Sequence, residues 1–397
     1  MFAKSYFPTL LSNQNLAYFD SAATSQTHSS VLYAMEEYYT QYRASPGRSV
    51  HKLGDQTTNA VESAREQVAK LINVTSDHVL FTSGTTQGLN WIAEWNKHAP
   101  VVVITEAEHH ANIIPWLQQG RTQENGRLKI IPVHSDGFVS VDEARQIIED
   151  CPPGSFVSII ATSNVSGVEQ PWQEITNIAK QHGLDVAVDF CQTIAHTRLD
   201  LQESNVDWAV FSAHKMYGPT GIGALYTSKN VNELDPIYFG GGTVDTVTFN
   251  SVQFMRGPER HEPGTPNVAA IIGFGAASEL LYNLNSDYIP ALEHNILQQL
   301  QDNGIFEFDC LKPVIDYQAI KTSSILSFVP VGFHSSDMGT MLSHTGVAVR
   351  TGKLCAHPYV DRLSDRGVIR VSISPYNTVE DCETLINGIK KVTQILV

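Results

Sequence analysis

The chain has 397 residues, of which 42% are hydrophobic and 17% charged, a composition typical of a globular protein large enough for two domains that share one site. Its formal net charge of −15 excludes nucleic acid and anionic membranes as expected partners, because both bind clustered Lys and Arg. An anionic small substrate must therefore meet positive charge that is concentrated locally.

The amino-terminal segment and the cysteines favour a reducing cellular compartment. No long apolar segment precedes the polar run at 12–15, so the sequence predicts neither a secretory signal nor a spanning helix and favours a cytoplasmic protein. The cysteines are scattered without close pairs, which fits a reducing compartment and predicts neither disulfides nor a metal site. They are Cys151, Cys191, Cys310, Cys355 and Cys382.

Apolar runs with strand propensity alternate with amphipathic helical stretches through most of the chain. A helix is predicted near 86–97, and the predicted strands are 79–82, 101–105, 129–133, 156–161, 185–189 and 208–211. This alternation is typical of an α/β fold with a mainly parallel sheet covered by helices on both faces. Ligands of such sheets bind outside the carboxyl ends of the strands.

The pattern changes after about residue 283. A helix is followed by strand-like pieces at 323–330, 347–350 and 368–374 and by a terminal helix from about Val379. We therefore predict a large α/β domain at 16–283 and a small α+β domain made of 1–15 with 284–397.

A turn rich in hydroxyl groups follows the first of these strands. Residues 82–86 read Thr-Ser-Gly-Thr-Thr and open a helix, where free N–H groups and the helix dipole favour a phosphate. The same residues make a good helix N-cap, so both interpretations stay open for Thr85 and Thr86.

Polar residues also follow the later strands. His109 can stack on a flat cofactor and move protons near neutral pH, although paired histidines are more often surface residues. Asp189 ends a strand, with Gln192 three residues later, and its carboxylate can pair with a protonated pyridine nitrogen or simply form a turn.

The segment 206–223 is the most informative. An apolar strand ends on Ser212-Ala213-His214-Lys215, and a glycine-rich turn follows. Such a lysine can hold an aldehyde cofactor as a Schiff base, with the neighbouring hydroxyl and imidazole on its phosphate. A solvated lysine at a strand end is the alternative for an arbitrary sequence of this kind.

Taken together, these segments resemble the class V, fold-type I pyridoxal-phosphate enzymes, and among them the type II (SufS/CsdA-like) cysteine desulfurases. The similarity runs from about residue 18 to 376. It is carried by residues 18–24, 83–86, 108–116, 163–167, 188–192, 212–221 and 264–267.

The resemblance implies a fold-type I transferase with a seven-stranded sheet, and it implies roles for individual residues. Lys215 would form the Schiff base, Asp189 would pair with the pyridine nitrogen, and His109 would stack on the ring. Asn164 and Gln192 would touch the ring hydroxyl. The phosphate would be held by Thr85, Thr86, Ser212 and His214 and, from the neighbouring subunit of a homodimer, by Thr265.

The same resemblance implies the substrate residues. Arg370 matches an arginine that binds an α-carboxylate through both nitrogens, and Arg350 and Arg48 match further substrate-side positions. Cys355 lies in a short Arg-x-Gly-x-x-Cys-Ala loop and would be the thiol that takes sulfur from L-cysteine and passes it to an acceptor protein. Its alternative is a small buried hydrophobe.

Several positions depart from the family pattern on the substrate side. Ser21, Gly47, Lys353, Leu354 and Cys191 replace residues that are usual there. Other activities of class V enzymes therefore remain as alternatives: selenocysteine lyase, aminotransferase or epimerase, in which Cys355 is incidental. A cofactor-holding partner protein with little turnover is a further alternative.

Overall fold

The computed structural model describes residues 2–47, 49–320 and 324–396. In this part of the chain the helices are α1 (Pro8–Ser12), α2 (Ser29–Glu37), α3 (Lys52–Leu71), α4 (Thr85–Trp95), α5 (Ile114–Gln118), α6 (Val141–Glu149), α7 (Trp172–Gln181), α8 (Val268–Tyr282), α9 (Tyr288–Asp302), α10 (Ser335–His344), α11 (His357–Leu363) and α12 (Val379–Leu396). The strands are β1 (Ala17–Tyr18), β2 (Val79–Thr82), β3 (Val102–Thr105), β4 (Leu128–Ile131), β5 (Phe156–Ile160), β6 (Asp185–Asp189), β7 (Trp208–Ser212), β8 (Gly223–Thr227), β9 (Val244–Val247), β10 (Val252–Phe254), β11 (Leu311–Pro313), β12 (Ile325–Pro330), β13 (Val347–Ala348), β14 (Arg350–Gly352) and β15 (Val368–Ser372).

Seven strands form the large sheet, in the order β2-β8-β7-β6-β5-β3-β4. Strand β8 runs antiparallel to both of its neighbours, and the remaining pairs are parallel. The carboxyl ends of β2, β3, β5, β6 and β7 therefore lie along one edge. The predicted α/β fold with a mainly parallel sheet is confirmed, whereas the antiparallel strand β8 was not foreseen.

Side chains of these strands alternate between two hydrophobic clusters. Val79 and Phe81 lie in the cluster that includes residues of α3 and α8, where the ring of Phe81 contacts that of Phe274, and Leu80 lies in the cluster that includes residues of α4. All three side chains are buried. Because successive residues of a strand point to opposite faces, helices cover the sheet on both sides.

The later part of the chain builds a second sheet, with the order β11-β12-β15-β14 and antiparallel pairing throughout. It packs on α12 in a separate cluster that contains Phe328 and Leu385. The predicted strand at 347–350 is two short strands, because β13 pairs with β1 whereas β14 pairs with β15.

The amino-terminal segment contacts both parts of the molecule. Lys4 binds the carboxylate of Asp381 on α12 at 2.8 Å, while Phe2 and Phe7 pack in the main cluster of the large sheet. The division into a domain at 16–283 and a second one made of 1–15 with 284–397 stays a prediction. None of the described helices combines the length and apolar composition that crossing a bilayer requires.

We predict that Gly223→Ala destabilises the fold next to the predicted phosphate turn. A Cβ at Gly223 would lie 2.7 Å from the carbonyl oxygen of Phe211 and 2.8 Å from Cα of Gly84, and neither backbone atom can yield cheaply. Overpacking of this kind costs about 1–3 kcal/mol of the free energy of unfolding, which denaturant titration measures. Gly241→Ala is the control, since its Cβ would meet nothing within 4 Å; equal stabilities of the two variants would contradict the prediction.

Candidate active site

A cavity of about 330 Å³ lies at the carboxyl edge of the large sheet. It brings together twelve of the predicted site residues: Thr85, Thr86, His109, Asn164, Asp189, Gln192, Ser212, His214, Lys215, Arg350, Cys355 and Arg370. Thr265 is exposed and does not line the cavity, and Arg48 lies outside the described residues. Strands that are distant in sequence therefore converge on one site.

The turn between β2 and α4 is built for a close approach to a ligand. Gly84 has φ 149° and ψ 174°, a conformation that essentially only glycine adopts, and it directs the chain into the first turn of α4. The backbone N–H of Thr85 donates to Oγ of Ser212 at 2.9 Å, and the two hydroxyl groups also lie 2.9 Å apart. The end of β7 thus places the hydroxyl group of Ser212 beside that of Thr85 at the positive end of α4.

Asp189 ends β6 with its carboxylate buried. Burial raises the pKa of this carboxyl group, while Lys215 and the N–H of Cys191, which donates to Oδ1 at 2.8 Å, act to lower it. The carboxylate therefore has few partners of its own in the described protein and faces the cavity. Gln192 is fixed beside it by donating to the carbonyl oxygen of Ala22 at 2.8 Å.

Lys215 follows β7 in a short 3-10 turn, Ala213–Lys215, and its side chain is half-buried. Among the described residues its amine has neither an ion-pair nor a hydrogen-bond partner. Burial, and then the charge of Lys215, lower the pKa of His214 to about 4. His214 is therefore neutral at pH 7 and adds no positive charge beside Lys215.

His109 is neutral for the same reasons. Burial first, then Lys215, His110 and Arg370, lower its pKa to about 4. Its Nδ1 accepts from the N–H of Ala111 at 3.1 Å, so the neutral ring carries its proton on Nε2.

Behind His109 lies Glu108, which is fully buried and was not predicted as part of the site. Its carboxylate accepts from the hydroxyl of Thr105, the amide of Asn112 at 2.7 Å and the N–H of Ile160 at 2.8 Å. Burial raises its pKa to about 7 despite these bonds. The network joins the ends of β3 and β5 and fixes the segment that carries His109.

Cys355 is the one exposed cysteine of the five. Leu354 and Cys355 both adopt positive φ, 51° and 52°, which costs about 1 kcal/mol or more for each non-glycine residue. The carbonyl oxygen of Leu354 accepts from the amide of Asn164 at 2.8 Å, and that of Cys355 accepts from the N–H of His110 at 2.7 Å. The strained turn is thereby fixed through its backbone.

Two arginines supply the positive charge. Arg370 is buried on β15 and donates to the carbonyl oxygen of Asn164 at 2.9 Å, and Arg350 lies half-exposed on β14. Both also contact the carboxylate of Asp20, which sequence reasoning did not identify as a site residue. The only signal for Asp20 was its place in the segment 18–24 that carries the family resemblance, because nothing in the sequence links it to β14 or β15.

Comparison with known proteins gives the same picture over nearly the whole chain. Residues 17–385 match the family model described as Aminotransferase class-V. A protein of Halalkalibacterium halodurans named probable cysteine desulfurase is 36% identical over 401 residues, which cover 98% of this chain and 97% of that protein.

Two solved structures share the fold. The cysteine desulfurase CsdA of Escherichia coli matches with a TM-score of 0.88 at 31% identity, covering 99% of this chain and 98% of that one. A cysteine desulfurase from Thermococcus onnurineus NA1, in its apo structure, matches with a TM-score of 0.90 at 29% identity and the same coverage.

We predict that Cys355 reacts first with iodoacetamide at pH 8. Burial raises the pKa of each of the other four thiols, of Cys191 to about 11 and of Cys382 to about 12, whereas Cys355 is exposed. Peptide mapping over time should show Cys355 labelled roughly tenfold faster or more than Cys191. Equal or faster labelling of Cys191 would contradict the described burial.

Proposed function

The chain belongs to the class-V aminotransferase family, and we propose that it is a cysteine desulfurase that uses pyridoxal 5′-phosphate and converts L-cysteine to L-alanine. One observation carries the proposal. A buried carboxylate, a lysine amine that has no partner among the described residues and an exposed cysteine line the same cavity, at Asp189, Lys215 and Cys355.

The residues present fit the cofactor. Its phosphate suits the hydroxyl groups and helix terminus at Thr85, Thr86, Ser212 and His214. Its pyridine nitrogen suits Asp189, and its aldehyde suits Lys215.

One unsatisfied atom supports the fit on the other side of the ring. Oδ1 of Asn164 is buried and has no hydrogen-bond partner in the described protein, which is costly unless a ligand donates to it. The ring hydroxyl of the cofactor is such a donor, and Gln192 lies on the same cavity wall. When bound, the cofactor supplies an electron sink for the carbanion that forms at Cα of the substrate.

The protein's own residues bind and orient the amino acid. Arg370 is the buried cation that takes the α-carboxylate, and its Nε has no partner among the described residues. His109 would lie on the cofactor ring as a neutral imidazole. The amine of Lys215 would move the proton at Cα of the substrate.

Cys355 performs the sulfur chemistry. Its thiolate attacks the substrate sulfur, the new S–S bond forms as the C–S bond breaks, and the carbon keeps the electron pair and is protonated to give alanine. The sulfur stays on Cys355 as a persulfide. Because Cys355 is exposed, that persulfide can pass to an acceptor protein.

A homodimer and a reducing compartment complete the proposal. The exposed position of Thr265 leaves it free to reach a neighbouring subunit's phosphate site, as the family resemblance implies. A reaction that depends on a free thiolate also needs a reducing environment, which favours the cytoplasm.

We predict that the purified protein binds pyridoxal phosphate and is yellow, and that borohydride fixes the cofactor covalently to Lys215. Peptide mapping after reduction identifies the residue. Lys215→Ala should lose the covalent link, while Lys180→Ala, which removes a lysine that is paired with Asp207 on another part of the sheet, should keep it. Attachment elsewhere, or no bound cofactor, would overturn the assignment of Lys215.

We predict that Cys355→Ser stops sulfur release from L-cysteine but still shows the spectral change on substrate binding, because serine keeps the size of the loop residue and removes the soft nucleophile. With a reductant present, the wild-type protein should form alanine and sulfide in equal amounts. Cys310→Ser is the control, since Cys310 lies outside the cavity. Full activity of Cys355→Ser toward any amino acid would favour one of the other class V activities.

A further inference from the structure

Asp20 lies between the two arginines of the site. Its Oδ2 contacts Nη2 of Arg350 at 2.9 Å, and its Oδ1 contacts Nε of Arg350 at 3.3 Å, so that arginine binds it through two nitrogens. Nη2 of Arg370 reaches Oδ1 at 3.4 Å. One carboxylate therefore contacts two guanidinium groups, and its contact with Arg350 is shorter than its contact with Arg370.

The three side chains carry two positive charges and one negative charge. The side chains of Asp20 and Arg370 are only 14% and 4% exposed, so water screens their charges weakly. Burial lowers the pKa of Arg370 to about 10, and Asp20 opposes this. The cluster holds one positive charge in excess, which a single carboxylate would neutralise.

We propose that Asp20 determines substrate specificity by cancelling the charge of Arg350, so that the site binds amino acids with one carboxylate and discriminates against dicarboxylic ones. The inference rests on the proposed function only in giving the substrate's carboxylate to Arg370.

The two arginines differ in which of their guanidinium nitrogens are already paired with protein groups. The bidentate contact with Asp20 occupies Arg350, whereas Arg370 keeps a buried Nε without a partner among the described residues. Arg370 is also fixed by the carbonyl oxygen of Asn164 at 2.9 Å. One guanidinium is thus available and oriented, and the other is committed.

A second carboxylate on the ligand would meet an unfavourable surrounding. Arg350, Cys355 and Arg370 line the same cavity, so a group attached at Cβ of the ligand lies within reach of this cluster. With the first carboxylate on Arg370 and with Arg350 paired to Asp20, the cluster has no positive charge left for a second carboxylate. An anion that is left unpaired in this way is a common source of discrimination.

The test compares L-alanine with L-aspartate, which differ by one carboxylate. Their dissociation constants are measured from the cofactor absorbance of the holoenzyme for wild type, Asp20→Asn, Arg350→Gln and the double variant. Asp20→Asn should shift the preference toward L-aspartate about tenfold, because it leaves two uncancelled cations. Arg350→Gln should weaken L-alanine binding about tenfold, because Asp20 then pairs with Arg370 alone.

The double variant decides between charge balance and mere structural support. It restores one excess positive charge, so L-alanine should bind within about threefold of the wild-type affinity. If Asp20 only supported the structure, the double variant would bind more weakly than either single variant, and that result would overturn the inference. Should Asp20→Asn fail to fold, the charge-balanced double variant and Arg350→Gln still give the comparison.

Asp207→Asn is the matched control. Asp207 also bridges two cations, Lys180 at 2.7 Å and Lys229 at 3.1 Å, and it lies just before β7, away from the carboxyl edge. Asp207→Asn should leave the ligand preference unchanged.

The outcomes separate the inference from the proposed function. If the wild-type protein turns over L-cysteine but the variants do not show the expected shifts in dissociation constants, the inference alone is overturned. If the shifts occur without turnover, the proposed function alone is overturned. If the wild-type protein binds neither amino acid, both are overturned.

Discussion

Asp189 and Lys215 bring opposite charges into one largely buried cavity, and the properties of the neighbouring groups follow from that. Burial favours the neutral form of Asp189, and the nearby amine opposes it. The same amine, together with burial, keeps His109 and His214 neutral at pH 7. Two imidazoles can therefore contact a cofactor without adding positive charge that would compete with Lys215.

The position of these groups depends on strand direction. Asp189, Ser212 and the Thr85 turn follow strands that end at the same edge, because β2, β6 and β7 are mutually parallel even though β8 lies between β2 and β7. Two successive antiparallel pairings, of β2 with β8 and of β8 with β7, leave β2 parallel to β7. The antiparallel insertion thus leaves the convergence intact.

The sequence was sufficient for six of the seven strands of the large sheet, all but β8, and for most of the cavity. Strands such as β2 and β6 were predicted to the residue, since each is an apolar run that ends in polar residues, and the family resemblance then assigned those residues. The predicted strand at 347–350 was wrong as a single element, because its halves pair with different partners. The pairing of β13 with β1 joins residues 330 positions apart, such as Ala17 and Val347, and leaves no local signal in the sequence.

The same limit explains the residues that were missed. Asp20 and Arg350 are 330 positions apart, and a lone acidic residue gives no indication of so distant a partner. Glu108 lay within the segment 108–116 without a role of its own, because its role depends on β5, which supplies the N–H of Ile160. Such buried polar networks are properties of the tertiary fold.

The loop that carries Cys355, at 350–356, keeps an exposed thiol in a fixed position. Asn164 and His110 hold the loop by its carbonyl oxygens, and Asp20 holds Arg350 on the strand that leads into it. None of these contacts uses the side chain of Cys355. The backbone therefore carries the strain and fixes the position, while the thiol stays exposed to the cavity and to any protein that approaches from solvent.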